Sequence, residues 1–123
     1  MRVVIVGASG FLGHALAESF ARDGEALLCT ARDPQRAREA ARWESGRAEW
    51  IAVDLAAVPD VAFWAACLRP SDVVINVAGI LREHHPGELD ALHHRAPVAL
   101  FEACAIRRRP RGVAHGIRVA RGR

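Results

Sequence analysis

The run Val3-Val4-Ile5-Val6-Gly7-Ala8-Ser9-Gly10-Phe11-Leu12-Gly13 constrains this chain more than any other stretch. Four branched aliphatic residues announce a buried strand, and three glycines spaced three apart follow at once. Leu12, Leu16 and Phe20 then recur at helical spacing. Strand, glycine turn and helix in that order can seat the pyrophosphate of a dinucleotide on the first free N–H groups of the helix. Gly7 is expected to permit the tight turn, Gly10 to let phosphates approach the backbone, and Gly13 to let the helix pack closely on the sheet. Gly7, Ser9, Gly10, Phe11, Leu12 and Gly13 form the expected cradle, the Ser9 hydroxyl and the helix amides donating to phosphate oxygens. A ligand-free glycine turn between strand and helix is the competing reading, and the complete context weighs against it.

The rest of the chain repeats the alternation, which points to βαβ units and a parallel sheet. Strands are expected at 2–6, 26–31, 48–53 and 72–78, and helices at 11–23, 34–44, 60–68 and 88–106. Pro34 and Pro59 sit near helix starts, where a missing N–H is harmless. Residues 79–88 are the sizeable internal loop. The expected class is α/β, a Rossmann-type doubly wound parallel sheet with strand order 3-2-1-4, truncated after about four to five strands.

With 123 residues and 51% hydrophobic content, the chain suffices for one domain with a modest core and is too apolar for general disorder. No apolar run approaches the roughly 20 residues that span a bilayer, so neither a membrane anchor nor a signal peptide is expected. Cys29, Cys67 and Cys104 are scattered in apolar segments, which suits reduced, buried thiols and a cytoplasmic location. Every basic residue is Arg. Residues 1–106 carry ten Arg against fourteen acids, whereas 107–123 carry seven Arg and no acid. The basic character therefore belongs to the tail, and the chain divides into a partial dinucleotide-binding domain at 1–106 and an Arg/Gly-rich tail at 107–123. The tail is expected to be disordered or to form a weak edge strand. Its arginines would touch phosphates non-specifically, and without interleaved aromatics no specific nucleic-acid partner is expected.

Further positions point to the same ligand. Arg32 follows the second strand, where an acid would accept from the ribose 2′-OH and an Arg accommodates a 2′-phosphate, so NADP is favoured with NAD left open. Asp33 comes directly after it, and a solvated loop Arg is the plainer alternative. Asp54 and Leu55 close the third strand, where a carboxylate and the next N–H suit an adenine edge; Asp54 equally suits a turn or helix cap. Ala78 and Gly79 are small residues at the end of the fourth strand, beside which a cofactor would lie. Asn76 reads more naturally as a strand-stabilising amide. The pairs His84-His85 and His93-His94 could suggest a metal, but adjacent histidines on a helix point about 100° apart and a site would need the two pairs to converge across a loop. Solvated loop and helix residues are the expected reading, and no metal is assigned. Trp43, Trp50 and Trp64 read as packing residues.

Gly-Ala-Ser-Gly-Phe-Leu-Gly, Arg32, Asp54-Leu55 and Asn76-Val77-Ala78-Gly79 together resemble the N-terminal half of a short-chain dehydrogenase/reductase. The glycine spacing is that of the extended and atypical branches. Val74 to Glu83 further resembles bacterial NAD(P)-binding, epimerase-like proteins similar to the nucleotide-binding accessory subunit of respiratory complex I. The resemblance covers about residues 1–108, with Val6 where the family usually has Thr. It implies NAD(P)-dependent oxidoreductase or epimerase chemistry on a carbonyl or sugar-like substrate. It also implies a Ser and a Tyr-x-x-x-Lys in the catalytic half. This chain has no Tyr and no Lys, so that pair is absent and no catalytic residue is assigned. A truncated gene product is the expected explanation, the change to Arg/Gly-rich sequence near residue 107 resembling an out-of-frame end. The alternative is a non-catalytic dinucleotide-binding or interaction scaffold. For that alternative the fourth strand matters, because without a fifth neighbour it offers an exposed β4 edge for homo- or hetero-association.

Overall fold

A computed structural model of the chain describes residues 2–44, 46–78, 86–107 and 118–121. Strand β1 (Arg2–Val6) leads into helix α1 (Phe11–Arg22), followed by β2 (Ala26–Ala31) and helix α2 (Pro34–Ala40). Strand β3 (Ala48–Ala52), a 3-10 turn (Leu55–Ala57), helix α3 (Val61–Cys67) and β4 (Val73–Asn76) come next. Helical structure resumes with the single turn α4 (Glu88–Asp90), passes through a π-helical turn (Ala91–Arg95) and continues as α5 (Ala96–Arg107); β5 (Arg118–Arg121) closes the order.

The four leading strands are parallel in the expected order, β3-β2-β1-β4, with Ile5 beside Cys29 on one side and Ile75 on the other. Alternate side chains face opposite layers. Val4, Val6, Leu28 and Val74 pack with Trp64 and Leu68 around α3 and with Leu100, Ala103 and Cys104 of α5. Val3, Ile5, Leu27, Cys29, Val73 and Ile75 face α1, where Ala17 is buried and Leu16 and Phe20 pack at the margin. Burial on both faces explains why these strands are continuous aliphatic runs.

Two elements are shorter than their sequence pattern suggests. Helix α2 stops at Ala40, where residues 34–44 read as helix, because Trp43 leaves the helix to stack on Trp50 of β3 with ring centroids 5.9 Å apart. Glu44 also turns in, accepting from Trp50 Nε1 at 2.6 Å. On the other side of β1, β4 ends at Asn76; one more N–H, that of Val77, reaches the Val6 carbonyl, and the Asn76 Oδ1 then accepts from the Ala78 N–H at 3.2 Å, a local turn that takes the chain out of the sheet.

The open β4 edge expected from the sequence is not found. Residues 118–121 pair antiparallel with β4, setting Arg121 beside Val73 and Arg118 beside Asn76. The physical reason is proximity. An unpaired strand edge accepts any extended segment, and one tethered to the same chain is present at a higher effective concentration than a second molecule. No helix among the described residues is long and apolar enough to cross a membrane.

Candidate functional site

The carboxyl ends of β1, β2 and β4 meet at the glycine turn. Gly7 has φ +93°, the left-handed region, and a Cβ there would lie 2.8 Å from the Ala78 Cα and N. The turn is held from both neighbouring strands. Gly7 N–H donates to the Thr30 hydroxyl at 3.2 Å and Ala8 N–H to the Thr30 carbonyl at 3.0 Å. Directly after β4, Val77 N–H donates to the Val6 carbonyl at 3.0 Å. A Cβ on Gly13 would run into the Gly7 carbonyl oxygen, with the Gly7 carbonyl carbon 2.8 Å away, so only a glycine lets α1 sit against the turn.

Gly10 differs from the other two. Among the described residues, a Cβ there would meet only the Gly7 oxygen, at 3.5 Å, which is an ordinary contact. Nothing among the described residues demands glycine at this position, whereas a ligand pressed against the backbone would. Gly10 caps α1 with no side-chain acceptor, and the first turn contains no acid. The α-helical ladder begins with His14 N–H on the Gly10 carbonyl at 2.8 Å, leaving the N–H groups of Phe11, Leu12 and Gly13 without a partner four residues back. Those amides and the positive end of the helix are suited to an anion. Ser9 is exposed beside them, and Phe11 is 96% exposed, a large apolar side chain with no core to join. Leu12 is also exposed, and Gly13 and Ala17 make the close helix–sheet contact instead.

The other positions singled out by sequence lie on the same edge of the sheet. β2 and β3 end together, with Val53 N–H donating to the Ala31 carbonyl at 3.0 Å, so Arg32 and Asp54 follow adjacent strand ends. Arg32 is exposed and has no ion pair among the described residues. The Asp33 carboxylate is committed to capping α2, accepting from Arg36 N–H at 3.1 Å. Asp54 likewise caps the 3-10 turn, accepting from Ala56 N–H at 3.1 Å, and remains exposed. Leu55 packs against the core from the start of that turn. Ala78 faces Gly7; Gly79, with His84 and His85, lies outside the described residues.

His93 and His94 are exposed on the π-helical turn, and among the described residues no group of three or more His, Cys, Asp or Glu could hold a metal ion. Cys29 and Cys104 are buried, and burial pushes their thiols up to about 12 and about 11, far from the thiolate form. Thr30 is the residue that sequence reasoning passed over. It is 1% exposed and supplies two acceptors to the turn. Its signal was a lone hydroxyl at the end of the aliphatic run Leu27-Leu28-Cys29-Thr30.

Residues 3–115 match the NAD dependent epimerase/dehydratase family. A short chain dehydrogenase of Pseudocercospora fijiensis is 32% identical over 117 residues, covering 81% of this chain and 38% of that protein. Among solved structures, a short chain dehydrogenase/reductase family protein is 26% identical with a TM-score of 0.72, covering 86% of this chain and 48% of its own. A short-chain dehydrogenase from Sphingobium yanoikuyae, solved in complex with NADPH, is 28% identical with a TM-score of 0.61, covering 86% and 47%. Uronate dehydrogenase from Agrobacterium tumefaciens, solved with NAD, shares the fold at 23% identity and a TM-score of 0.62 over 85% of this chain and 36% of its own. The chain thus spans less than half the length of these relatives.

Proposed function

Since this chain belongs to the NAD dependent epimerase/dehydratase family, we propose that it is the NADP(H)-binding part of a short-chain dehydrogenase/reductase-like oxidoreductase or epimerase. The observation that carries the reading is the contrast at the glycine turn. Gly7 and Gly13 are required by the protein's own backbone, but no described residue crowds a Cβ at Gly10, where a bound pyrophosphate would press on the backbone. Gly7, Ser9, Gly10, Phe11, Leu12 and Gly13 would hold the pyrophosphate. Arg32 would face the 2′-phosphate, with Asp54 and Leu55 at the adenine and Ala78 and Gly79 beside the remainder of the cofactor. NADP is favoured over NAD because the Asp33 carboxylate already serves as a helix cap and leaves Arg32 as the free charge at the end of β2. A nicotinamide dinucleotide bound there supplies a hydride donor or acceptor. With no Tyr and no Lys in 123 residues, this chain by itself is assigned binding rather than turnover. The free thiols Cys29, Cys67 and Cys104 support a cytoplasmic setting.

Titrating the chain with NADPH and NADH by calorimetry tests the proposal. NADPH should bind more tightly, and Arg32→Gln should remove the preference while leaving NADH binding unchanged. Well-folded protein that binds neither nucleotide would end the reading.

A further inference from the structure

We propose that Thr30 is a positioning residue for the dinucleotide site, an inference that rests on the cofactor reading above. Gly7 sits at φ +93°, and its N–H follows Val6, whose side chain carries no hydroxyl. No group of β1 holds that amide. The acceptor comes from the neighbouring strand, 23 positions along the chain, where the Thr30 Oγ1 takes the Gly7 N–H at 3.2 Å and the Thr30 carbonyl takes the Ala8 N–H at 3.0 Å. One residue therefore fixes two consecutive peptide planes of the turn. Thr30 is 1% exposed and β-branched, so its hydroxyl is held in place by packing.

The consequence lies downstream of the turn. The Gly7 carbonyl accepts from Gly10 N–H at 3.2 Å and abuts the Cα of Gly13. The Gly7 N–H and the Gly7 carbonyl lie in successive peptide planes joined at the Gly7 Cα, so releasing the amide would let φ of Gly7 change and re-aim the carbonyl, moving both the close contact that seats α1 and the direction of the first helix amides. Thr30 acts on the phosphate cradle through Gly7, with no need to touch the ligand itself.

The test is NADPH affinity in the full 123-residue chain for wild type, Thr30→Val and Thr30→Ser. Thr30→Val keeps the side-chain volume but removes the acceptor; it should weaken NADPH binding about tenfold, the scale of one lost hydrogen bond. Thr30→Ser restores the acceptor and should bind within about threefold of wild type. Valine and wild-type chains of equal affinity would overturn the proposal while leaving the cofactor reading intact, as would a serine variant as weak as valine. Wild type that fails to bind would overturn the cofactor reading and this inference together. Amide hydrogen exchange of unliganded wild type provides a readout that needs no variant. Protection of the Gly7 amide is expected, and exchange as fast as that of an exposed loop amide would overturn the role of Thr30.

Discussion

The two ends of the sheet treat polar groups in opposite ways. At the amino end, where β1 and β4 begin, Arg2 lies across Asp72 in a two-pronged pair, Nε to Oδ1 at 3.1 Å and Nη2 to Oδ2 at 2.8 Å. Arg2 Nη2 also donates to the Cys67 carbonyl at 2.9 Å, and Arg69 N–H donates to Asp72 at 2.7 Å. Arg2 is 7% exposed and Asp72 2% exposed, and the pair raises the pKa of Arg2 further against the opposing effect of burial. Nearby, Glu44 accepts from both Trp50 and Gly46 before β3 begins. Charge at this end is answered by the protein itself. At the carboxyl end the glycine turn is held just as firmly, but the amides that open α1 have no acceptor four residues back and Arg32 has no ion pair among the described residues. One end closes the fold; the other is the end at which the proposed cofactor would sit.

The sharpest way to break that contrast is to unbalance the amino end. Asp72→Ala leaves the buried Arg2 guanidinium with only the Cys67 carbonyl and the exposed Glu49 carboxylate 3.8 Å away, which should cost about 3 kcal/mol in urea unfolding. Replacing Arg2 and Asp72 together by leucine should cost less than Asp72→Ala alone, because no buried charge is stranded. A double variant as unstable as the single one would show that the pair is not the source of the effect.

The glycines sharpen the other side. Gly13→Ala must push α1 off the turn, an overpacking cost of about 1–3 kcal/mol that a thermal melt would detect together with loss of NADPH binding. Gly10→Ala should melt within about 1 kcal/mol of wild type, the scale of a changed N-cap, yet lose NADPH affinity. If Gly10→Ala bound as well as wild type, the room around Gly10 would have no ligand purpose. The pairing of β5 with β4 adds a related test. Deleting residues 118–123 bares the β4 edge and should shift the protein toward oligomers on size exclusion, with no change in elution if β5 contributes little.

The smallest effect is pH-dependent and belongs to the amino end. Burial works to raise the Glu44 pKa, but hydrogen bonds from Trp50, Gly46 and Ala48, with the Arg38 charge, hold it below the usual carboxylate range. A depressed folded pKa means stability that is present above the unfolded value of about 4.3 and is lost as pH falls through the folded value. Acid titration of stability should therefore show a loss below about pH 4.3 that shrinks in Glu44→Gln. The variant itself should cost about 1 kcal/mol at neutral pH, one charged hydrogen bond weakened.

Much of this molecule is legible along the chain. The bounds of β1 and β2, Pro34 opening α2 after the Asp33 cap, and the left-handed Gly7 all follow from a residue and its immediate neighbours. Local periodicity and local φ limits are properties of short segments, so a linear reading reaches them. The same logic places Arg32, Asp54 and Ala78 at strand ends along one edge. It fails where the deciding partner is remote. Trp43 ends α2 early to stack on Trp50, which the helical pattern of residues 34–44 cannot register.

What the sequence by itself determined is the order of strands and helices and the glycine turn at their head, because propensity and steric limits act between neighbours in the chain. What only the tertiary structure decided is who answers whom across the sheet. Thr30 reaches Gly7, Arg2 reaches Asp72 seventy positions away, and residues 118–121 take the β4 edge. Those choices depend on parallel register and on two strands standing side by side, and neither exists until the sheet has formed.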